Sequence, residues 1–252
     1  VDRYFSFACV DGSDEIAKCF RLRYEIFCQE RGFLPCEDYP DHLERDIYDA
    51  HALHFLASHL DGEPAGTVRL VLNGPRGLPM VSHCILEGAY AFLADPDHPR
   101  DPRYAEISRL AVSRGFRRRR DDTPYGGPPR TNPGEQGRLT TVATPPPADV
   151  PEMISGLFRL IYQASKRQGV THWVVAMERS LQVMLKRMGF RFTAIGPEVD
   201  YYGPVRPYVA EIAALEYNVS RAKATTWRYV TAGLEPNLVP DFQEELLRAA
   251  SS

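Results

Sequence analysis

The chain has 252 residues, a formal net charge of −3 at pH 7 and 44% hydrophobic residues, which fits a globular protein with a substantial core. This charge disfavours bulk nucleic-acid binding, so any basic site must be local. The sequence contains no run of about 18 apolar residues, and its first residues lack a signal-peptide pattern. We therefore expect a cytoplasmic protein with no transmembrane segment. The five cysteines form no C-x-x-C pair, which predicts reduced thiols rather than a disulfide framework or a zinc ribbon.

Arg23 lies on the apolar stripe of the first predicted helix. Apolar residues recur at spacings of three and four across 16–27, which is typical of an amphipathic helix. A guanidinium on that stripe must pair with carboxylates or extend to solvent, and the helix alone leaves both options open. The stretch 32–49 is acidic and broken by proline, and it ends with Asp46 and Asp49. It predicts a long irregular loop, and long loops in compact domains are often functional.

A β-hairpin is predicted next. Strands 54–59 and 66–72 flank the pair Asp61-Gly62, which is a strong hairpin signal between alternating apolar residues. Arg69 projects from the middle of the second strand, on the face opposite its apolar neighbours. The simplest role for this arginine is on an exposed face of an antiparallel sheet.

The stretch Tyr104–Arg120 combines a strand with charged side chains that need partners. Glu106 and Arg109 bracket an apolar core, although an isolated Glu-x-x-Arg is usually a surface ion pair. Simple alternation puts these two side chains on opposite strand faces, so a β-bulge would be needed to bring them together. A basic run follows: Arg114, Arg117, Arg118, Arg119 and Arg120. It is either a local docking surface or a solvated loop.

The carboxyl half begins with a change of composition. Residues 121–149 hold seven of the 21 prolines and few bulky apolar residues, which predicts a mobile insertion. Strong patterning then resumes, with predicted helices at 149–169 and 179–188 and predicted strands at 173–177, 190–195 and 205–213. This order predicts one α/β domain over 1–215, with a mixed central sheet flanked by helices, and a helical extension over 216–252.

Four motifs, in order, resemble the acyl-homoserine-lactone synthases, which have the GNAT-like N-acyltransferase fold. They are RYEIF at 23–27, D-x-x-D at 46–49, GTVRL at 66–70 and EISRLAV at 106–112. The segment GFRFTAIGPEVDYYGPVRPYVAEI is more similar to the N-acyl amino acid synthases that make long-chain acyl-tyrosine. It is also similar to the acyltransferases associated with PEP-CTERM/exosortase systems, which give the best match over most of the chain.

The resemblance implies roles for individual residues. A charged acceptor pocket would be formed by Arg23, Asp46, Asp49 and Arg69. Phe27 and Phe33 would line the acceptor and acyl sites. Phe33 stands where the lactone synthases usually have Trp, which favours an amine such as an amino acid over S-adenosylmethionine. Glu106 would be the general base, acting through water, and Arg109 a structural or acceptor-binding charge of the catalytic centre.

The donor implied by the resemblance is an acyl thioester, with no permanently bound cofactor and no metal. Acetyltransferases that use coenzyme A carry a Q/R-x-x-G-x-G/A loop, whose second glycine is missing from 114–117. The arginine run suits an acidic partner, so the phosphopantetheine thioester of acyl carrier protein is favoured over acyl-CoA. A homoserine-lactone-type signal synthase and a non-catalytic acyl-binding protein remain alternatives. Four residues lack metal-ligand spacing: His51, His54, His83 and Cys84.

Overall fold

The computed structural model describes residue 2, residues 4–116 and residues 150–242. The predicted insertion 121–149 and the run Arg117–Arg120 lie outside the described residues. The α-helices of the described part are α1 (Ser13–Arg23), α2 (Val150–Arg167), α3 (Arg179–Met188), α4 (Ile212–Ala222) and α5 (Ala224–Thr231). Within these ranges no helix combines the length and apolarity needed to cross a membrane.

The strands of the described part form a mixed, mostly antiparallel sheet, which confirms the predicted α/β class with flanking helices. They are β1 (Phe5–Val10), β2 (Ala52–His59), β3 (Pro64–Leu72), β4 (Tyr104–Val112), β5 (His172–Met177), β6 (Thr193–Ala194), β7 (Val199–Asp200) and β8 (Pro204–Glu211). The order along the sheet is β1-β2-β3-β4-β5-β8-β6, and β7 pairs with β8. β4 and β5 run parallel, whereas β1 with β2 and β5 with β8 are antiparallel.

The described residues divide into two compact units. Unit 1 comprises the described residues of 1–69 and 108–157, and unit 2 comprises those of 70–107 and 158–252. Strands β3 and β4 each contribute residues to both units, because the boundaries fall within them.

In unit 1, α1 continues directly into a π-helical segment, Tyr24–Glu30. π-Helical turns are rare and are often found at functional sites. Cys19 of α1 packs in a small apolar cluster with residues of β1 and β2. Ile26 and Phe27 of the π-helical segment pack with Ala111 of β4. The predicted hairpin is confirmed, because β2 and β3 are joined by a tight turn.

In unit 2, a buried carboxylate connects α2 to α4. Tyr162 Oη donates to Glu216 Oε1 at 2.7 Å, and Lys166 Nζ lies 2.8 Å from the same oxygen. The predicted start of a carboxyl-terminal extension at residue 216 falls inside α4, which begins at Ile212. The division into 1–215 and 216–252 stays a prediction.

The predicted strand 190–195 is reduced to the two residues of β6. Ala194 pairs with Tyr208, and Ile195 N–H donates to Pro207 O at 3.0 Å. Proline has no N–H and cannot donate in return, so the regular ladder ends at this point.

We expect Gly196→Ala to destabilise unit 2, because Gly196 lies against backbone. A Cβ at this position would lie 1.9 Å from Ile85 O, so the chain would have to shift. Overpacking of this kind costs about 1–3 kcal/mol. The free energy of unfolding, measured in urea, should fall by that amount. Gly115→Ala is the matched control, because its Cβ meets nothing within 4 Å; equal stability losses in the two variants would contradict the prediction.

Candidate active site

Six charged side chains meet in unit 1, and we refer to them as the charged cluster. Its members are Arg23, Glu44, Asp46, Asp49, Arg69 and Arg109. All four residues predicted to form the acceptor pocket are among them. With three arginines and three carboxylates, the charged cluster is formally neutral.

Arg23 pairs with carboxylates rather than extending to solvent. Its side chain is 1% exposed, and its Nη1 and Nη2 donate to the two oxygens of Asp49 at 2.8 and 3.1 Å. Its Nε donates to Glu44 Oε2. Its guanidinium carbon also lies 5.1 Å from the ring centroid of Phe20. The question that the sequence left open for Arg23 is therefore answered by two acids of the 32–49 loop.

Arg69 is also buried, so the exposed-face interpretation of this residue is wrong. Its side chain is 1% exposed and forms a two-pronged pair with Asp46, at 2.7 and 2.8 Å. Nη1 additionally donates to Asp49 at 2.6 Å, and Nε donates to Ser108 Oγ at 2.9 Å. Planar, two-pronged pairing of this kind is the geometry in which arginine binds carboxylates most strongly.

Arg109 interrupts the regular geometry of β4. Its φ is +54°, in the left-handed region that residues other than glycine seldom occupy. Its Nε donates to Glu44 at 3.1 Å, and its Nη2 donates to Asp46 at 3.3 Å. This left-handed residue distorts the strand locally, and the β-bulge expected to bring Glu106 and Arg109 together stays a prediction.

The acidic loop is fixed by its own backbone as well as by arginines. Glu44 N–H donates to Phe20 O of α1 at 3.1 Å. Asp46 N–H donates to Asp49 Oδ2 at 2.7 Å, and Tyr48 N–H donates to Asp46 Oδ1 at 2.9 Å. These bonds close a tight turn that presents both aspartates to the arginines, which explains the D-x-x-D spacing.

The charged cluster is buried at one end and accessible at the other. The Glu44 side chain is 0% exposed and that of Asp49 is 8% exposed, whereas that of Asp46 is 23% exposed. Arg109 is 10% exposed. A charged ligand would therefore meet Asp46 and Arg109 first.

The arginines hold the three acids in their ionised forms. Burial on its own would raise the pKa of Asp49, but Arg23 and Arg69 outweigh it and the pKa lies well below its usual range. Burial is likewise outweighed at Glu44, whose pKa is lowered by Arg23 and Arg109. The pKa of Asp46 is lowered by Arg69 and Arg109 against the same opposing effect of burial.

The two predicted aromatic residues lie beside the charged cluster. Phe27 and Phe33 are stacked, with ring centroids 6.5 Å apart, and Phe33 N–H donates to Phe27 O at 2.8 Å. The Arg109 guanidinium carbon lies 5.8 Å from the Phe27 ring centroid. Phe27 is buried and Phe33 is half-buried, so an apolar wall borders the accessible edge of the charged cluster.

Glu106, the predicted base, lies in unit 2. It is 2% exposed, and its Oε2 accepts a hydrogen bond from Met80 N–H at 2.7 Å. Burial, followed by the charge of Glu106, raises the pKa of the nearby Cys84 thiol to about 11. Cys84 is therefore protonated at neutral pH, which argues against a thiol nucleophile here.

Of the predicted donor-docking arginines, Arg114 alone lies within the described residues. It is exposed and lines a groove of about 320 Å³. Glu25 and Glu30 line the same groove, so the surroundings of Arg114 are mixed in charge. The structure gives no account of Arg117–Arg120. In the described ranges no group of three or more His, Cys, Asp or Glu side chains could hold a metal ion.

Sequence reasoning missed Glu44 and Ser108. Glu44 lies on the predicted acidic loop, two positions before Asp46, but no periodicity separates it from the other acids there. Ser108 lies next to Arg109 in β4, and its role as an acceptor for Arg69 depends on tertiary pairing.

Comparison with known proteins finds similarity over the region that holds the charged cluster. Residues 22–123 match the Acetyltransferase (GNAT) domain. An acyl-homoserine-lactone synthase of Aliivibrio fischeri is 25% identical over 200 residues, which cover 78% of this chain and 85% of that protein. The matched domain contains the whole charged cluster.

Two solved structures share the fold. FeeM, an N-acyl amino acid synthase from uncultured soil microbes, superposes with a TM-score of 0.55 at 16% identity, over 86% of this chain and 96% of its own. BjaI is a CoA-dependent acyl-homoserine lactone synthase solved with SAM and isopentyl-CoA. It superposes with a TM-score of 0.53 at 21% identity, over 95% of this chain and 92% of its own. The chain therefore has the GNAT acyltransferase fold. Within that fold, the chain is similar in sequence to an acyl-homoserine-lactone synthase, whereas its likeness to FeeM is one of fold.

We expect Asp49→Asn to be strongly destabilising, because it removes a charge that two buried guanidinium groups share. Breaking a buried ion pair from one side typically costs about 3–5 kcal/mol. Asp41→Asn is the matched control, since the Asp41–Arg45 pair is exposed on both sides, and such pairs contribute about 0–1 kcal/mol. Urea unfolding of both variants would test this, and similar losses would contradict it.

Stability should fall as the solution is acidified, and the charged cluster should cause part of this fall. The lowered pKa of Asp49 means that the unfolded chain takes up a proton first, so the stabilisation is complete above the unfolded pKa of about 3.9 and decreases below it. The stability difference between wild type and Asp49→Asn should therefore shrink as the pH falls below about 4. If the stability difference between the two proteins stays constant down to pH 3, the Asp49 carboxylate does not cause this pH dependence.

Proposed function

We propose that this protein is an N-acyltransferase. It moves a long fatty acyl chain from an acyl carrier protein thioester, or from acyl-CoA, to the amine of an amino acid or a similar small acceptor. The observation that carries the proposal is that four separate motifs supply five of the six members of the charged cluster, within a fold shared with acyl-homoserine-lactone synthases and an N-acyl amino acid synthase.

The acceptor amine would bind at the accessible edge of the charged cluster. An ammonium group is attracted to the Asp46 carboxylate, the most exposed acid of the set. The half-buried ring of Phe33 provides apolar surface for the rest of the acceptor. Phe33 in place of the usual Trp of the lactone synthases favours an amino acid over S-adenosylmethionine.

The chemistry requires a base, and we assign that role to Glu106. An ammonium must lose a proton before its nitrogen attacks the thioester carbonyl, and a carboxylate can accept that proton through water. The C–N bond then forms, the C–S bond breaks, and the thiol of the donor leaves. Backbone N–H groups of β4 would stabilise the oxyanion. β4 pairs with β5 along Tyr104–Glu106, which lie opposite His172–Val174. β4 itself extends beyond this pairing, to Val112.

The donor would dock through the basic run. Arg114 and Arg117–Arg120 would contact an acidic carrier protein, because electrostatic complementarity favours that encounter. Acyl-CoA is the alternative donor, and BjaI, which has the same fold, is described as CoA-dependent. The acyl tail would gain about 0.8 kcal/mol for each CH₂ that it buries. The exosortase association and the cytoplasmic location stay predictions.

A homoserine-lactone-type signal synthase is the second candidate. The specific observation in its favour is the Aliivibrio fischeri relative, an acyl-homoserine-lactone synthase matched over 78% of this chain. The same residues would serve both reactions, and the product distinguishes them. A non-catalytic acyl-binding protein is the third candidate.

Mass spectrometry of lipid extracts tests the proposal. We expect cells that overexpress the protein to accumulate acylated amino acids, and cells that express Glu106→Gln to lack them, because the amide cannot accept the proton. Glu37→Gln is the matched control, since Glu37 is exposed on a 3₁₀ turn outside the charged cluster. The masses would identify both the acceptor and the chain length.

Each outcome selects one candidate. An acyl-lactone product would favour the signal synthase. Acyl-chain binding by the purified protein, with no new acylated species from wild type, would favour a binding protein and overturn the enzymatic proposal. Purified protein supplied with decanoyl carrier protein or decanoyl-CoA would then identify the donor, and carrier protein is the expected one.

A further inference from the structure

Glu44 is a member of the charged cluster that none of the four motifs contains. Its carboxylate accepts from Arg23 Nε and from Arg109 Nε, the latter at 3.1 and 3.3 Å to its two oxygens. Its backbone N–H donates to Phe20 O of α1 at 3.1 Å. Glu44 is thus fixed by both backbone and side chain, at the fully buried end of the charged cluster.

We propose that Glu44 is a positioning residue for the amine acceptor: it holds the Arg109 guanidinium back from Asp46 and keeps the charged cluster neutral. The inference rests on the proposed function, and it deepens that function by naming a residue that controls acceptor binding without touching the acceptor.

The first step concerns geometry. Arg109 occupies a left-handed backbone conformation, which persists only where surrounding contacts enforce it. Two contacts from Nε to Glu44 direct its guanidinium, while Nη2 reaches Asp46 at a longer 3.3 Å. Without the Glu44 charge, the Arg109 guanidinium would move towards Asp46. It would then compete with an acceptor ammonium for the exposed carboxylate.

The second step concerns charge. Three arginines balance three acids, so replacing Glu44 with a neutral residue leaves one uncompensated positive charge. That charge would repel an ammonium at the accessible edge. The proposed docking arginines of the donor are not members of the charged cluster, and the thioester carbonyl is uncharged, so donor binding should change little. Weaker binding of the acceptor, with unchanged binding of the donor, is therefore the result that identifies this role.

The test compares Glu44→Gln, Arg109→Gln, the double variant Glu44→Gln/Arg109→Gln, and Glu44→Asp. Thiol release from decanoyl carrier protein is followed while an equimolar mixture of the standard amino acids and S-adenosylmethionine is titrated. Glu44→Gln should raise the half-saturating acceptor concentration about tenfold, as expected for one charge at short range. The half-saturating donor concentration should stay within about twofold, because the proposed docking arginines lie outside the charged cluster and the thioester carbonyl is neutral.

The other variants separate positioning from general damage. The double variant is neutral again and should bind the acceptor better than Glu44→Gln, and Glu44→Asp, which keeps the charge, should lie close to wild type. Equal loss for donor and acceptor, or a double variant no better than the single one, would overturn the inference. If wild type releases no thiol with any acceptor, the proposed function fails and the role of Glu44 fails with it. An active wild type with an unaltered Glu44→Gln overturns this inference alone.

Discussion

Three guanidinium groups in unit 1 are almost completely removed from water, and the structure depends on the three carboxylates that compensate them. Moving a single ion into a protein interior costs several kcal/mol even after relaxation. Arg23 lies on a helix and Arg69 on a strand, and neither could be buried alone. One irregular loop supplies all three acids. This explains why a loop without hydrophobic periodicity has a defined conformation, and why it reaches α1 and β3 together.

The same constraint accounts for the distortion of β4. A regular strand would direct Arg109 by simple alternation, whereas its left-handed φ goes with a side chain that points to Glu44 and Asp46. Local strain of this kind costs about 1–3 kcal/mol and persists only where other contacts determine it. Two carboxylates and the ring of Phe27 provide such contacts.

Much of the fold could be predicted because its elements carry local signals. The hairpin follows from Asp61-Gly62, and the end of α3 follows from Gly189, which adopts a φ of +103°. The need of Arg23 for carboxylates also follows from its place on an apolar stripe. Glu44 could not be singled out, because its importance comes from the tertiary approach of α1 and β4 to the loop. The end of β6 at Ala194 likewise depends on the residue opposite Ile195, Pro207, which lies on a strand distant in sequence.

The electrostatics of the charged cluster also narrow the choice of base. A carboxylate whose pKa is held far below its usual range by arginines is a weak proton acceptor at neutral pH, because general-base catalysis is most efficient when the pKa lies near the working pH. Asp49 is in that position, and the pKa values of Glu44 and Asp46 are lowered by arginines in the same direction. In the proposed reaction they would attract and orient the ammonium rather than deprotonate it. Glu106, which one of the motifs contains, lies outside the charged cluster. It accepts a hydrogen bond from the Met80 amide and lies near the buried Cys84. In the proposed reaction two kinds of acid would therefore act: the acids kept charged by arginines would orient the ammonium, and Glu106, outside the charged cluster, is proposed to accept the proton.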